Sequence, residues 1–533
     1  MASDAPKYGT VKRNAELLPV KGLGIGMALI SFPFFCLLLI TALLFYLCPK
    51  RWRFLVLIAA SGYYYFVSEG AGWSLVLLAY IALFFGSALL LKRYEQTKTV
   101  KNAVYAVTIT AALGALLFLK YWNPLGLHSP LGMSFWMLTG IGYVTDVYRG
   151  SVRGAVSPAK TTLLLGFFPL MISGPILRYG ETAKELVPGA DASGEPGPDG
   201  SAGSAVHKSD TRQIAFGAQR ILWGCMKKLV LSQRLAVIVD TVYANVGVYQ
   251  GWTILFAVCC FSLQLYTDFS GCMDIVLGAA ELFGIRLPEN FQTPFLAENV
   301  SEFWRRWHIT LGAWLKDYVL YPLLHSEPFR RLKKIAKKRL GKVWGERIVL
   351  YMGMFVSWFL IGLWHGSSWK YIFGVGVWFW AVIVAGELWS PAVVRLAKRL
   401  HINMECFSFR LFQRLRTFAL VAFGLSFFRA ASAKEGVKLW TEAFACFNPH
   451  VLFGSSLLKL GLDLQDMLVL ASGMLVLLFV SLMQYRGVAV RERLAGQNLV
   501  FRWGLYLVLF FTVIIFGVYG KEYNAADFIY QGF

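Results

Sequence analysis

Apolar runs near or above the length needed to cross a bilayer recur along the chain, separated by short polar clusters. They fall at 24–48, 54–68, 72–91, 103–122, 130–147, 161–177, 214–246, 252–284, 348–364, 369–389, 415–429, 465–484 and 502–519. The pattern predicts an all-α polytopic membrane protein of about eleven to thirteen helices, the shorter runs being re-entrant or interfacial. Before the first run lie 22 polar residues with Lys7, Lys12, Arg13 and Lys21. That run is too long for a signal-peptide core, so it is expected to be a retained span. Residues 187–210 are rich in Gly, Ser, Pro, Asp and Ala without apolar periodicity, the composition of a flexible loop between two membrane blocks. His207 lies in that loop and is given no role.

Polar residues inside the apolar runs are the informative exceptions. Trp364-His365-Gly366 closes the run 348–363, which carries no charge before the histidine. An ionisable group at membrane depth costs at least a few kcal/mol when charged and is a functional candidate by default. Histidine alone has an unperturbed proton affinity matched to neutral pH. A packed helix–helix contact is the competing reading. In 261–278, Gln264, Asp268, Ser270 and Asp274 interrupt another apolar helix, with Gln264 and Asp268 on one face at i, i+4. Carboxylates there must pair or line water, and a polar network that clamps helices together is the plainer account. Pro288 and Pro294 then break helix, and Trp304, Arg305, Arg306, Trp307 and His308 follow, suited to an interface or to a buried polar cavity.

Composition fixes the class. Of 533 residues, 57% are hydrophobic and 15% charged, too apolar for a soluble chain of this length. The formal charge of +22 sits in short clusters between runs, the bias of the positive-inside rule and not of nucleic-acid binding. The densest cluster, 330–347, holds nine basic residues and one acid. Within a basic cytoplasmic segment at 326–347, it is expected to attract anionic headgroups or an acidic carrier protein. The eight cysteines form no CxxC pair and read as small core residues. The seven histidines show no metal-ligand spacing, so neither a metal nor a bound cofactor is expected.

Longer stretches carry a resemblance. ENFQTPFLAENVSEFWRRWHITLGAWLKDYVLYPL and FLIGLWHGSSWKYIFG closely resemble the membrane-bound O-acyltransferase family. The nearest branch is the bacterial one of alginate O-acetyltransferases and teichoic-acid D-alanyl transferases. Residues 130–150, 167–181, 263–278 and the tail VYGKEYNAADFIYQGF fit the same branch. The resemblance implies one transmembrane domain over 1–533, a ring of helices around a central funnel or tunnel with re-entrant segments. It maps an essential histidine onto His365 and a second onto His308. Trp304, Arg305, Trp307, Trp364, Gln264, Asp268 and Ser270 are expected to line the substrate path. One departure stands: where many members of the branch carry a further histidine after Trp-His-Gly, this chain has Trp378.

The implied activity is transfer of an acyl group, acetyl ahead of D-alanyl, from a cytoplasmic thioester donor such as acetyl-CoA or an acyl carrier protein. The acceptor is a hydroxyl of a cell-surface polymer outside a bacterial plasma membrane, reached directly or through an extracytoplasmic partner acyltransferase. The residues fit this chemistry independently. An alcohol is a poor nucleophile while protonated, and a neutral His365 beside it could remove the proton. The absence of a Gly-x-Ser-x-Gly elbow favours direct transfer over a serine acyl-enzyme. A transporter or channel, and a non-catalytic scaffold, remain alternatives from other classes.

Overall fold

Ser31 accepts a hydrogen bond from the Phe34 N–H at 3.3 Å and Pro33 occupies the first turn, which together start Phe32–Leu47 (α1). The structure, a computed structural model of the chain, describes residues 27–122, 126–127, 129–152, 154–186, 210–453 and 455–519. The first 22 residues, His128, the loop expected at 187–210 apart from Asp210, and the tail beyond Tyr519 lie outside the described residues.

The runs at 54–68 and 72–91 are two arms of Arg53–Arg93 (α2), broken at Gly70, whose φ is 78°. Lys98–Leu117 (α3) follows and widens into a π-helical turn at Phe118–Trp122. Met133–Tyr148 (α4) is buried along nearly its whole length. The run expected to span at 161–177 is a nine-residue helix, Pro158–Gly166 (α5), followed by irregular chain. Pro169, Gly174 and Pro175 prevent its continuation. Tyr179–Leu186 (α6) comes next. The run at 214–246 forms Asp210–Cys225 (α7), a π-helical stretch Met226–Ser232 and Gln233–Tyr243 (α8); the run at 252–284 is Trp252–Leu282 (α9).

After α9 come three short helices, Val300–Arg306 (α10), Ile309–Leu315 (α11) and Tyr321–His325 (α12). Glu327–His365 (α13) bends at Gly341, where φ is 79°. The basic segment thus makes up the first arm of that helix and the start of the second, folded on each other: Lys337 pairs with Glu346 across the bend at 2.7 Å. Trp369–Tyr371 (α14), a π-helical turn and Trp378–Arg399 (α15) lead to Phe407–Arg429 (α16) and Ala433–Ala443 (α17). Leu464–Tyr485 (α18), Val490–Ala495 (α19) and Leu499–Phe516 (α20) complete the described chain.

Eight helices among the described residues are long and apolar enough to cross a bilayer, and α1 is a shorter apolar one. The sequence runs numbered more, because α4 and α5 are short and the α7–α8 run carries Arg220, Lys227, Lys228 and Arg234. The chain is an all-α polytopic membrane protein. Its helices differ sharply in depth: 78% of the apolar window of α9 is buried inside the protein, against 11% for α18 and 6% for α20. So α9 is the inner post, and α18 and α20 face outward.

Helices α7 and α9 approach backbone to backbone. A Cβ on Gly217 would stand 2.7 Å from the Gly278 carbonyl oxygen, and one on Gly224 would stand 2.6 Å from that of Gly271. Small residues at such crossings replace the missing hydrophobic drive between helices in lipid with close van der Waals contact. The glycine pairs bring together a ladder of charge. Lys228 pairs with Asp268, Lys227 with Asp274 at 2.6 Å, and Arg220 with Asp274 at 3.0 Å. Arg220 also reaches Glu281 and Glu289, and Arg491 of α19 closes on Glu281 at 2.6 Å. The π-helical stretch turns consecutive Lys227 and Lys228 both inward. Four cations thereby meet four carboxylates, so that the charges taken out of water each have a partner that offsets the cost of desolvation. Gly224→Leu should force the crossing apart and lower stability by about 1–3 kcal/mol, read as a fall in the melting temperature of the purified protein, with Gly180→Ala, where a Cβ meets nothing, as the unchanged control.

Candidate active site

Helix α13 ends at His365 because Gly366 takes a φ of 154°, and a Cβ there would stand 2.8 Å from the Tyr371 ring. A helix ending inside the protein leaves carbonyl oxygens that need donors. Lys120 donates to the Trp364 carbonyl and Tyr121 to that of Leu363, both from the π-helical turn after α3. A cation at a helix C-terminus also complements the helix dipole. The Lys120 ammonium lies 5.3 Å from the centre of the Trp364 ring, so it grips the same residue twice.

His308 arrives from a different element. It precedes α11 in the left-handed region, with φ 46° and ψ 52°, a conformation that costs a non-glycine residue roughly 1–2 kcal/mol. Asn290, in the irregular chain after α9, holds it there. Its carbonyl oxygen accepts from the Ile309 N–H at 3.1 Å, and its side-chain Oδ1 accepts from the Thr310 N–H at 3.1 Å. The Thr310 hydroxyl accepts from the Ile176 N–H at 3.0 Å and donates to the same Oδ1 at 3.0 Å.

Those contacts fix the proton on the histidine. A backbone N–H can only donate, so the Asn290 atom facing Thr310 is the amide oxygen. His308 Nδ1 lies 3.2 Å from that oxygen and donates to it, so that in the neutral imidazole the lone pair is on Nε2. Asn290 is held in turn: Arg220 grips the preceding Glu289 with two bonds, at 2.8 and 2.5 Å.

The two histidines meet across one tryptophan. The Trp364 ring centre lies 4.8 Å from that of His365 and 6.1 Å from that of His308. Phe428 packs on His365 at 4.8 Å, Phe269 on His308 at 5.0 Å, and Phe135 on Trp364 at 5.9 Å. Both histidines are buried. The arrangement places two imidazoles and an ammonium in an aromatic enclosure, a setting for moving a proton and for stabilising nearby negative charge.

The other expected lining residues are placed elsewhere. Asp268 and Ser270 belong to the α7–α9 ladder, bound to Lys228 and Lys227. Gln264 is buried on the same helix. Trp304 packs edge-on against Trp358 and Phe379, and Trp307 is enclosed by Tyr266, Phe291, Phe295 and Phe303. Arg305 was expected on the substrate path; it is exposed, because the short α10 turns its neighbour Arg306 inward onto Glu302 instead. Trp378, at the departure from the family pattern, donates to the Leu420 carbonyl at 2.9 Å and packs at a tilt against the Phe423 ring. Asn290, Lys120 and Tyr121 were missed. Lys120 was findable, since it is an ionisable residue inside the apolar run 103–122, as His365 is beside its own.

These features define a membrane-embedded histidine site on an all-helical fold, and the chain belongs to the membrane-bound O-acyltransferase family. The family model matches residues 63–337, which include His308 and stop short of His365. Among similar proteins, a probable alginate O-acetylase of Pseudomonas syringae is 28% identical over 316 residues, 59% of this chain and 52% of that protein. A peptidoglycan O-acetyltransferase of Helicobacter pylori is 26% identical over 352 residues, covering 61% of this chain and 58% of its own length. A teichoic acid D-alanyltransferase of Bacillus subtilis is 25% identical over 299 residues, covering 52% and 67% respectively. The chain therefore spans about half to two thirds of these relatives.

Asn290→Ala should strand the Thr310 donors and His308 Nδ1, at a cost of roughly 1–3 kcal/mol in stability. Nitrogen-15 spectra of the imidazole ring should show His308 losing its single tautomer, whereas Asn290→Asp, which keeps an acceptor in place, should retain it.

Proposed function

We propose that this chain is an O-acyltransferase that moves an acyl group, acetyl in the first instance, from a cytoplasmic thioester to a hydroxyl of an extracytoplasmic polysaccharide. The observation that supports this most is the meeting of His365 and His308 around Trp364. His365 takes the acceptor hydroxyl's proton as its oxygen attacks the thioester carbonyl. The C–O bond forms, the tetrahedral oxyanion collapses, and the C–S bond breaks to release the thiol, which regains a proton from the imidazolium. Removing such a base costs about 10²–10⁴ in rate. His308, with its lone pair on Nε2, and the Lys120 ammonium are the groups nearest to assist proton transfer and charge stabilisation. The named relatives act on alginate, peptidoglycan and teichoic acid, polymers outside the cytoplasm, which supports an acceptor of that kind here.

The donor reading draws on the first arm of α13. Its Arg330, Arg331, Lys334, Lys338 and Arg339 are exposed, a surface suited to steering an acidic acyl carrier protein. On this reading acetyl-CoA and a carrier thioester are alternative donors, and D-alanyl transfer is the second activity the fold would support.

A His365→Ala variant, expressed at unchanged abundance, should leave the surface polymer without base-labile esters. Persistence of the esters removes His365 from the reaction. Mass spectrometry of the acid released by mild base identifies the group: acetate is expected, and D-alanine in its place would overturn the acetyl assignment.

A further inference from the structure

A cavity of about 1690 Å³ runs between the α7–α9 pair and the outward-facing α18 and α20. It exceeds the roughly 300–1,000 Å³ of a small-molecule pocket. Its two walls differ in chemistry. The inner wall carries the Arg220, Lys227, Asp274, Glu281 and Glu289 part of the charge ladder, and the outer wall is mainly aliphatic, with Leu468, Val476, Val480, Leu505, Val508 and Leu509 beside the hydroxyls of Ser472 and Thr512. The outer helices are fastened at both ends. Arg491 holds Glu281 at one, and at the other Arg234 holds Asp466 at 2.9 Å and the Phe516 carbonyl at 2.6 Å. Between them the span from Leu468 to Val480 is about 18 Å at 1.5 Å per residue, close to one leaflet of a hydrocarbon core roughly 30 Å thick.

Charge distinguishes the two ends. The lining holds six cations, Arg212, Arg220, Lys227, Arg286, Arg306 and Arg491, against four carboxylates. Arg220, Lys227 and Arg491 are spent on Asp274, Glu281 and Glu289, and Arg306 pairs with Glu302. Arg212 and Arg286 make no ion pair among the described residues, and both are exposed at the Glu281 end, where Gly284 lies against Gln213. A slot one leaflet deep with a largely apolar outer wall, opening on two guanidiniums that have no carboxylate partner, Arg212 resting on the Phe216 ring at 5.3 Å, matches an amphiphile with a phosphate head and a long alkyl chain.

We propose that this cavity is a binding site for an anionic phospholipid, its phosphate on Arg212 and Arg286 and an acyl chain between α9 and the α18–α20 pair. The site is separate from the acyl-transfer reading and stands or falls without it. Its inner wall includes Glu289 and Asn290, so an occupied site braces the segment that orients His308.

The test is native mass spectrometry of the full chain in detergent, titrated separately with phosphatidylglycerol, phosphatidylcholine and coenzyme A. One tightly retained phosphatidylglycerol is expected, preferred over phosphatidylcholine by about tenfold. Arg212→Gln with Arg286→Gln should abolish the preference, and Val508→Trp should expel both lipids by filling the slot. If Val508→Trp does not fold, Leu505→Phe supplies the same readout. Equal retention of the two lipids, or a lipid unmoved by these variants, overturns the proposal. Retention of coenzyme A that depends on the arginine pair, with no phospholipid held, overturns the choice of ligand.

Discussion

The interaction on which the rest depends is the contact between α7 and α9. Two glycine pairs let the backbones touch, and only at that separation can short Asp268 and Asp274 reach Lys228, Lys227 and Arg220. Each charge is costly in hydrocarbon, and each is offset by a partner on the facing helix. Steric closeness and electrostatic pairing therefore need one another, and a change at either would be felt by both.

From that contact the constraint passes along the chain to the histidines. Arg220 extends beyond α9 to take Glu289 with both terminal nitrogens, which fixes the residue next to Asn290. Asn290 then holds the backbone of residues 309 and 310 and the ring of His308. A clamp of this kind is required because His308 sits in a backbone conformation that would relax if it were free. His365 is placed by an unrelated device, a glycine-terminated helix whose last carbonyls are taken by Lys120 and Tyr121. Two independent supports that converge on Trp364 give a site held on both sides by rigid elements.

The chain's own patterning carried much of this. Apolar runs of bilayer length located the eight candidate spans, and the same rule that flags charge at depth pointed to His365 and to the 264–274 cluster. The motif around EFWRRWH led to His308. The structure leaves Arg305 exposed and turns Arg306 onto Glu302, a distinction that seven residues of helix do not reveal. Asp268 and Ser270, expected to line a substrate path, are bound by Lys228 and Lys227, a pair visible in the sequence but without any sign of what it would face.

What the sequence determined by itself was the class and the position of most of the long apolar helices, because burial in lipid imposes length and apolarity on local stretches; it singled out His365 as a polar exception and His308 through the motif it shares with the family. What only the tertiary structure decided was pairing. Which lysine meets which carboxylate, which amide sets the tautomer of His308, and which ammonium closes the helix ending at His365 are contacts across 18 to 244 residues of chain. No local preference encodes them; they follow from the few arrangements in which every buried charge and every exposed helix end finds a partner.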